Sequence, residues 1–195
     1  MNSSDFLRCG TVLAGAAQMG RKVAMVTAKE KLRDLLSPGL LAEGVTGMAF
    51  SSEKAAEAQV STHGIENVEE LVGDTPPIYS GEASVYVLRA GVELVESGQA
   101  DFLYLSLTDY IQHKYAPDEE GALEFYEALD AEFGRLRELG CRLGITADHG
   151  MNAKCRGDGS PRVIYLEDEL AEKFGAGDKV ICPITDPYVV HHGAL

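Results

Sequence analysis

Apolar positions along the chain follow two rhythms. Short unbroken runs such as Val23–Val26, Phe102–Leu105 and the Leu143–Ile145 segment predict buried strands. Between them, apolar residues recur every three or four positions, which predicts helices packed by one face. From Glu82 to Ser97 the apolar face is Val85, Leu88, Val92 and Val95, with Gly98 as the stop. From Asp118 to Leu139 it is Leu123, Tyr126, Leu129, Phe133 and Leu136, set against an acidic face that reads as solvated. Further helices are predicted over Asp5–Met19, from Ala28 to about Ser37, and over Glu53–Val60, Val68–Val72 and Glu167–Phe174. The predicted strands are Val23–Thr27, Thr46–Phe50, Leu103–Leu107, Leu143–Thr146, Arg162–Tyr165 and Lys179–Pro183.

Strands alternating with helices predict an α/β fold, a mostly parallel sheet with helices on both faces. In such a sheet the strands end on one edge, and chemistry gathers there. Two predicted strands run into a carboxylate and an imidazole. The first is followed by Asp109 and, four residues on, His113, which a helix would place on one face. The second ends in Asp148-His149-Gly150. A lone Asp-His-Gly is more often a capped turn with a loop histidine, but two such pairs on successive strands converge. Their mixed oxygen and nitrogen donors favour zinc over magnesium or calcium. A third corner offers Lys29 and Lys31, either as solvated helix-start lysines or as holders of an anion.

Composition narrows the partners. The net charge of −14 over 195 residues argues against nucleic acid but leaves room for a small anionic substrate at a local cationic site. No apolar run approaches the roughly 20 residues a membrane span needs. The first residues, Met1-Asn2-Ser3-Ser4-Asp5, carry no basic segment of a secretory leader. Cys9, Cys141, Cys155 and Cys182 form no close pair and read as free thiols of a cytoplasmic protein. A homodimer is compatible with all of this.

Four segments together carry a family resemblance. They are Val26–Arg33, Thr108–Pro117 with its Asp-Tyr-Ile-Gln-His, Ile145–Lys154 with its Asp-His-Gly-Met, and Ile184–Leu195 with its Asp-Pro-Tyr-Val-Val-His-His-Gly. The chain resembles the alkaline phosphatase superfamily and, within it, the phosphonoacetate hydrolases. The resemblance implies a zinc-dependent enzyme that cleaves the carbon–phosphorus bond of phosphonoacetate to acetate and phosphate. By the same likeness, one zinc takes Asp109 and His113 and the other Asp148 and His149, while Lys29 and Lys31 hold the substrate's anionic groups. Residues 1–155 correspond to part of the core, and residues 156–195 to the start of an inserted subdomain. The family's threonine nucleophile and a further metal-binding aspartate match nothing here, and its third histidine for the first zinc is not His191 or His192. The chain therefore reads as an internal fragment, incomplete at both ends and inactive alone, with its catalytic residue unassigned. The alternatives are another phosphodiesterase, nucleotide pyrophosphatase or phosphomutase of the superfamily, or a non-catalytic metal-binding fragment.

Overall fold

The computed structural model describes residues 7–42 and 44–177. They form two compact units, one from the residues up to Ile111 together with Glu124–Ile145, the other from Gln112–Leu123 and the residues from Thr146 on. The first unit carries a sheet in the order β2-β1-β3, with β1 at Val23–Thr27, β2 at Gly47–Ser51 and β3 at Phe102–Ser106. Both pairings are parallel, with Thr27 opposite Ser51 on one side and Ser106 on the other. All three strands therefore end on the same edge.

β1 is a central strand, and every residue from Val23 to Thr27 is buried. Its side chains alternate between two cores. Val23 and Met25 pack with Leu40 and with Ala16 and Ala17 of α1 (Val12–Gln18). Ala24 and Val26 pack with Phe50 and with Tyr86, Val87 and Leu94 of α5 (Glu82–Glu96). Helices cover both faces, as the sequence pattern predicts. Against α5 lies α7 (Glu120–Glu138), whose Phe125 and Leu129 meet Leu88, with Arg135 bridging Glu93 at 3.2 Å and Glu132 at 3.1 Å. The remaining helices are α2 (Glu30–Leu36), α3 (Val60–His63), α4 (Val68–Val72), α6 (Tyr110–Lys114) and α8 (Leu166–Phe174). No helix among the described residues is long and apolar enough to cross a membrane.

Four predicted elements differ. The Leu143–Thr146 segment is no strand. It is irregular, with Ile145 71% exposed. No described strand pairs with it, and a strand forms only where its backbone N–H and C=O groups find partners. Arg162–Tyr165 is likewise irregular. Its neighbour Pro161 makes only an isolated antiparallel bridge with Cys155, and a proline has no N–H to extend a ladder. Glu53–Val60 contracts to one 3-10 turn, Ala55–Glu57, as the Ala56 N–H is diverted to Thr75 Oγ1 at 3.0 Å. The first helix starts at Val12 because Thr11 caps it, its hydroxyl accepting from the Ala14 N–H at 3.0 Å. The predicted strand Lys179–Pro183, Cys182 and the motif with His191 and His192 lie outside the described residues.

In the second unit, α8 follows the loop at Pro161. Gly121 makes room there for the Tyr115 ring, which a Cβ at that position would approach to 2.7 Å.

Candidate metal centre and anion site

Backbone bonds past the strand ends build the site's edge in the first unit. The Ala28 N–H donates to the Ser106 carbonyl at 2.8 Å, and the Ser52 N–H donates to Thr27 at 2.9 Å. The buried Thr27 hydroxyl donates to the Lys29 carbonyl at 2.9 Å, which turns the chain into α2. Glu30, between the two lysines, is clamped. Its carboxylate accepts from Ser51 Oγ at 2.6 Å and Arg33 Nε at 3.1 Å, with His63 Nε2 at 3.9 Å. Burial pulls the Glu30 carboxyl upward, but hydrogen bonds from Arg33 and Ser51 outweigh it and hold it below the usual carboxylate range. His63 is pushed below the usual histidine range by burial and by the Arg33 charge.

This clamp fixes the base of Lys29, whose ammonium stands 4.8 Å from the centre of the Tyr79 ring. Tyr79 in turn lies 6.4 Å from Tyr110, the residue after Asp109. Lys29 thus reaches from the β1 corner toward the β3 corner. Lys31 is exposed on α2.

The β3 corner is held by Ser84 of α5. Its buried hydroxyl accepts from the Thr108 N–H at 3.0 Å and donates to the Thr108 carbonyl at 3.2 Å. Asp109 follows directly and precedes α6, on which His113 stands one helical turn further along.

In the second unit His113 and His149 come together. Their rings meet edge to face with centroids 6.3 Å apart, and each offers a ring nitrogen within 4.8 Å of the other. His149 Nδ1 lies 3.0 Å from the Gly150 carbonyl, which can only accept. That contact puts the proton on Nδ1 and leaves Nε2 as the donor for a metal, an outer contact typical of metal-binding histidines. Asp148 is largely exposed, yet its Oδ1 accepts from the His149 N–H at 3.2 Å and stands 4.0 Å from His149 Nε2. Neighbouring donors around a tetrahedral zinc stand about 3.4 Å apart, from bonds of about 2.0–2.1 Å. The Asp148–His149 pair needs only a small closure to meet that spacing, and its oxygen-and-nitrogen chemistry suits the ion. The residues present fit a zinc.

The structure therefore brings together His113 with His149, and Asp148 with His149, and it places Lys29 by Tyr79. Sequence reasoning missed Ser84, Tyr79 and Glu30. Ser84 left a signal, a lone hydroxyl between the buried residues of an apolar helix face. Tyr79 left none, since it sits in the loop after a Pro-Pro break.

A parallel sheet covered on both faces, with acidic, basic and imidazole side chains past its strand ends, defines an α/β domain of the alkaline-phosphatase-like kind. The chain belongs to the family described as type I phosphodiesterase / nucleotide pyrophosphatase, which matches residues 81–182. It is also similar to two solved structures of phosphonoacetate hydrolase from Sinorhizobium meliloti 1021. The one in complex with phosphonoacetate shares 48% identity over 100% of this chain and 48% of its own, with a TM-score of 0.80. The one in complex with phosphonoformate shares 47% identity over 99% of this chain and 47% of its own, also with a TM-score of 0.80. The chain spans about half the length of these relatives.

Proposed function

We propose that these residues supply one share of the active site of a zinc-dependent phosphonatase. Its reaction adds water across the carbon–phosphorus bond of phosphonoacetate and gives acetate and phosphate. The observation that supports this most is the 48% identity, over the whole chain, to a structure in complex with phosphonoacetate. Asp109 and His113 are assigned to one metal, and Asp148 and His149 to another. Zinc, when bound, supplies Lewis-acid polarisation of the phosphoryl oxygens. Lys29, steadied over Tyr79, supplies fixed positive charge for an anionic group of the substrate, and Lys31 is assigned beside it. As the C–P bond breaks, its electron pair passes to the methylene carbon, which then takes a proton to become the methyl of acetate. Charge building on the acetate fragment is stabilised by such cations.

Residues 156–195 are assigned to an inserted subdomain, and the protein to the cytoplasm. The four metal ligands divide into two pairs, whereas a catalytic zinc usually takes three protein ligands and a water. On that ground we assign the 195 residues alone no turnover. Phosphate release from phosphonoacetate with added zinc, by this chain and by a protein of the relatives' length that contains it, tests the reading. Release by the longer protein only is expected. No release by either, with turnover of a phosphodiester instead, would overturn it.

A further inference from the structure

The turn that carries Lys29 is held by the loop after β2. The register pairs Thr27 with Ser51, so two residues further on Glu53 comes beside Lys29. Three consecutive residues of that loop bond the turn. Ser51 Oγ donates to Glu30 Oε2 at 2.6 Å. The Ser52 N–H donates to the Thr27 carbonyl at 2.9 Å, and the buried Ser52 hydroxyl donates to the Ala28 carbonyl at 3.3 Å. Glu53 Oε2 accepts from the Glu30 N–H at 2.8 Å.

That last bond answers a local defect. Lys29 holds the N-cap place of α2. Its backbone is extended, at φ −116° and ψ 131°, and its carbonyl accepts from the Leu32 and Arg33 N–H groups at 3.2 Å. N-cap places favour Ser, Thr, Asp or Asn, whose side chains accept from the helix's first free N–H groups. A lysine side chain has no acceptor, and its charge opposes the positive end of the helix. Lys29 accordingly makes no side-chain cap. At α1 the chain does follow the rule, with Thr11 as the cap. A local rule broken at one position and compensated from another is expected where function holds the residue in place.

We infer that Glu53 is a positioning residue for Lys29. It caps α2 from the next loop and so lets a cation occupy the N-cap place, with its ammonium 4.8 Å from the centre of the Tyr79 ring. The anion role of Lys29 rests on the functional reading above; Glu53 holds the turn from which that lysine reaches.

Two measurements test this. In the 195-residue chain, trace acetylation by acetic anhydride, followed by mass spectrometry, reads how firmly the half-buried Lys29 is held, with the exposed Lys173 of α8 as internal control. Glu53→Ala is expected to speed Lys29 acetylation several-fold and leave Lys173 unchanged. Glu53→Gln, which keeps an acceptor oxygen, should keep the parent rate. Glu53→Asp, one methylene shorter, is a milder variant with the same expected direction as Glu53→Ala, for use if alanine costs the fold. In a turnover-competent protein, Glu53→Ala should raise the KM for phosphonoacetate about fivefold, the scale of one helix cap, with kcat unchanged. In the Lys29→Ala background it should add nothing, because the two residues act as one. Unchanged Lys29 acetylation in Glu53→Ala and Glu53→Asp, a fall in kcat at parent KM, or an undiminished KM rise in the Lys29→Ala background would each overturn the inference. Failure of the functional reading is separate: it would appear as no phosphonoacetate turnover by the parent protein, while the acetylation rates still decide the role of Glu53.

Discussion

Replacing Ser84 by alanine removes one oxygen atom and should cost more stability than any surface change in the first unit. The hydroxyl is fully buried and makes two bonds to the same residue, 3.0 Å from the Thr108 N–H and 3.2 Å to the Thr108 carbonyl. Each bond contributes about 0.5–1.5 kcal/mol net, and a buried group left without a partner costs about 1–3 kcal/mol. The expected loss is therefore about 2–3 kcal/mol. With a urea m-value of about 2 kcal/mol/M, the midpoint should fall by about 1–1.5 M at constant m. Ser97 is the control. Its Oγ makes a shorter bond to the Glu93 carbonyl, 2.7 Å, but at an exposed helix end, so Ser97→Ala should stay within about 0.5 kcal/mol of the parent. Thr108 immediately precedes Asp109, so Ser84→Ala should also weaken zinc binding, whereas Ser97→Ala should not. A Ser84→Ala midpoint equal to that of Ser97→Ala would refute the reasoning that burial, rather than bond length, sets the cost.

Three further outcomes follow from the site. Glu30 and His63 both titrate below their usual ranges in the folded chain. The unfolded chain then binds more protons, so stability present at neutral pH is lost as the pH falls. The loss begins near the ordinary histidine value of about 6.5 and continues through the carboxylate range. Denaturation midpoints against pH should show His63→Gln flattening the upper part of that slope and Glu30→Gln the lower part; parallel curves would exclude both groups. His113→Ala and His149→Ala should each weaken zinc binding by at least about tenfold in competition with a chromophoric chelator, while His63→Gln leaves it unchanged. In a turnover-competent protein, Lys29→Ala should raise the KM for phosphonoacetate by about tenfold. Tyr79→Leu should do so less, and Tyr79→Phe, which keeps the ring face, least. Parent-like KM in Lys29→Ala removes its anion role.

Much of this molecule is legible in its sequence where a local rule suffices. β1 and β3 follow from unbroken apolar runs, and α5 and α7 from three-to-four spacing closed by Gly98 and Gly140. The parallel pairing follows from strand–helix alternation, whereas the order β2-β1-β3 does not. Legibility fails where the outcome depends on a distant partner. Leu143–Thr146 has the composition of a strand but pairs with no described strand, although β3 keeps one edge open. Glu53–Val60 has helical spacing, but Thr75, nineteen positions further on, diverts a backbone N–H. At the site, the metal-ligand candidates were visible because Asp and His recur past successive apolar runs. The groups that hold them were not, because Ser84 reaches Thr108 across 24 positions. Lys29 meets Tyr79 across the whole of β2, α3 and α4.

The central claim is that Asp109, His113, Asp148 and His149 hold zinc for chemistry on a phosphonate. Anomalous diffraction at the zinc edge, from crystals grown with zinc and phosphonoacetate, tests it most directly. The account predicts two zinc peaks about 4 Å apart, one against Asp109 and His113 and one against Asp148 and His149, with the phosphonate group at the metals. Zinc held elsewhere, or phosphonoacetate bound away from these four side chains, would contradict it.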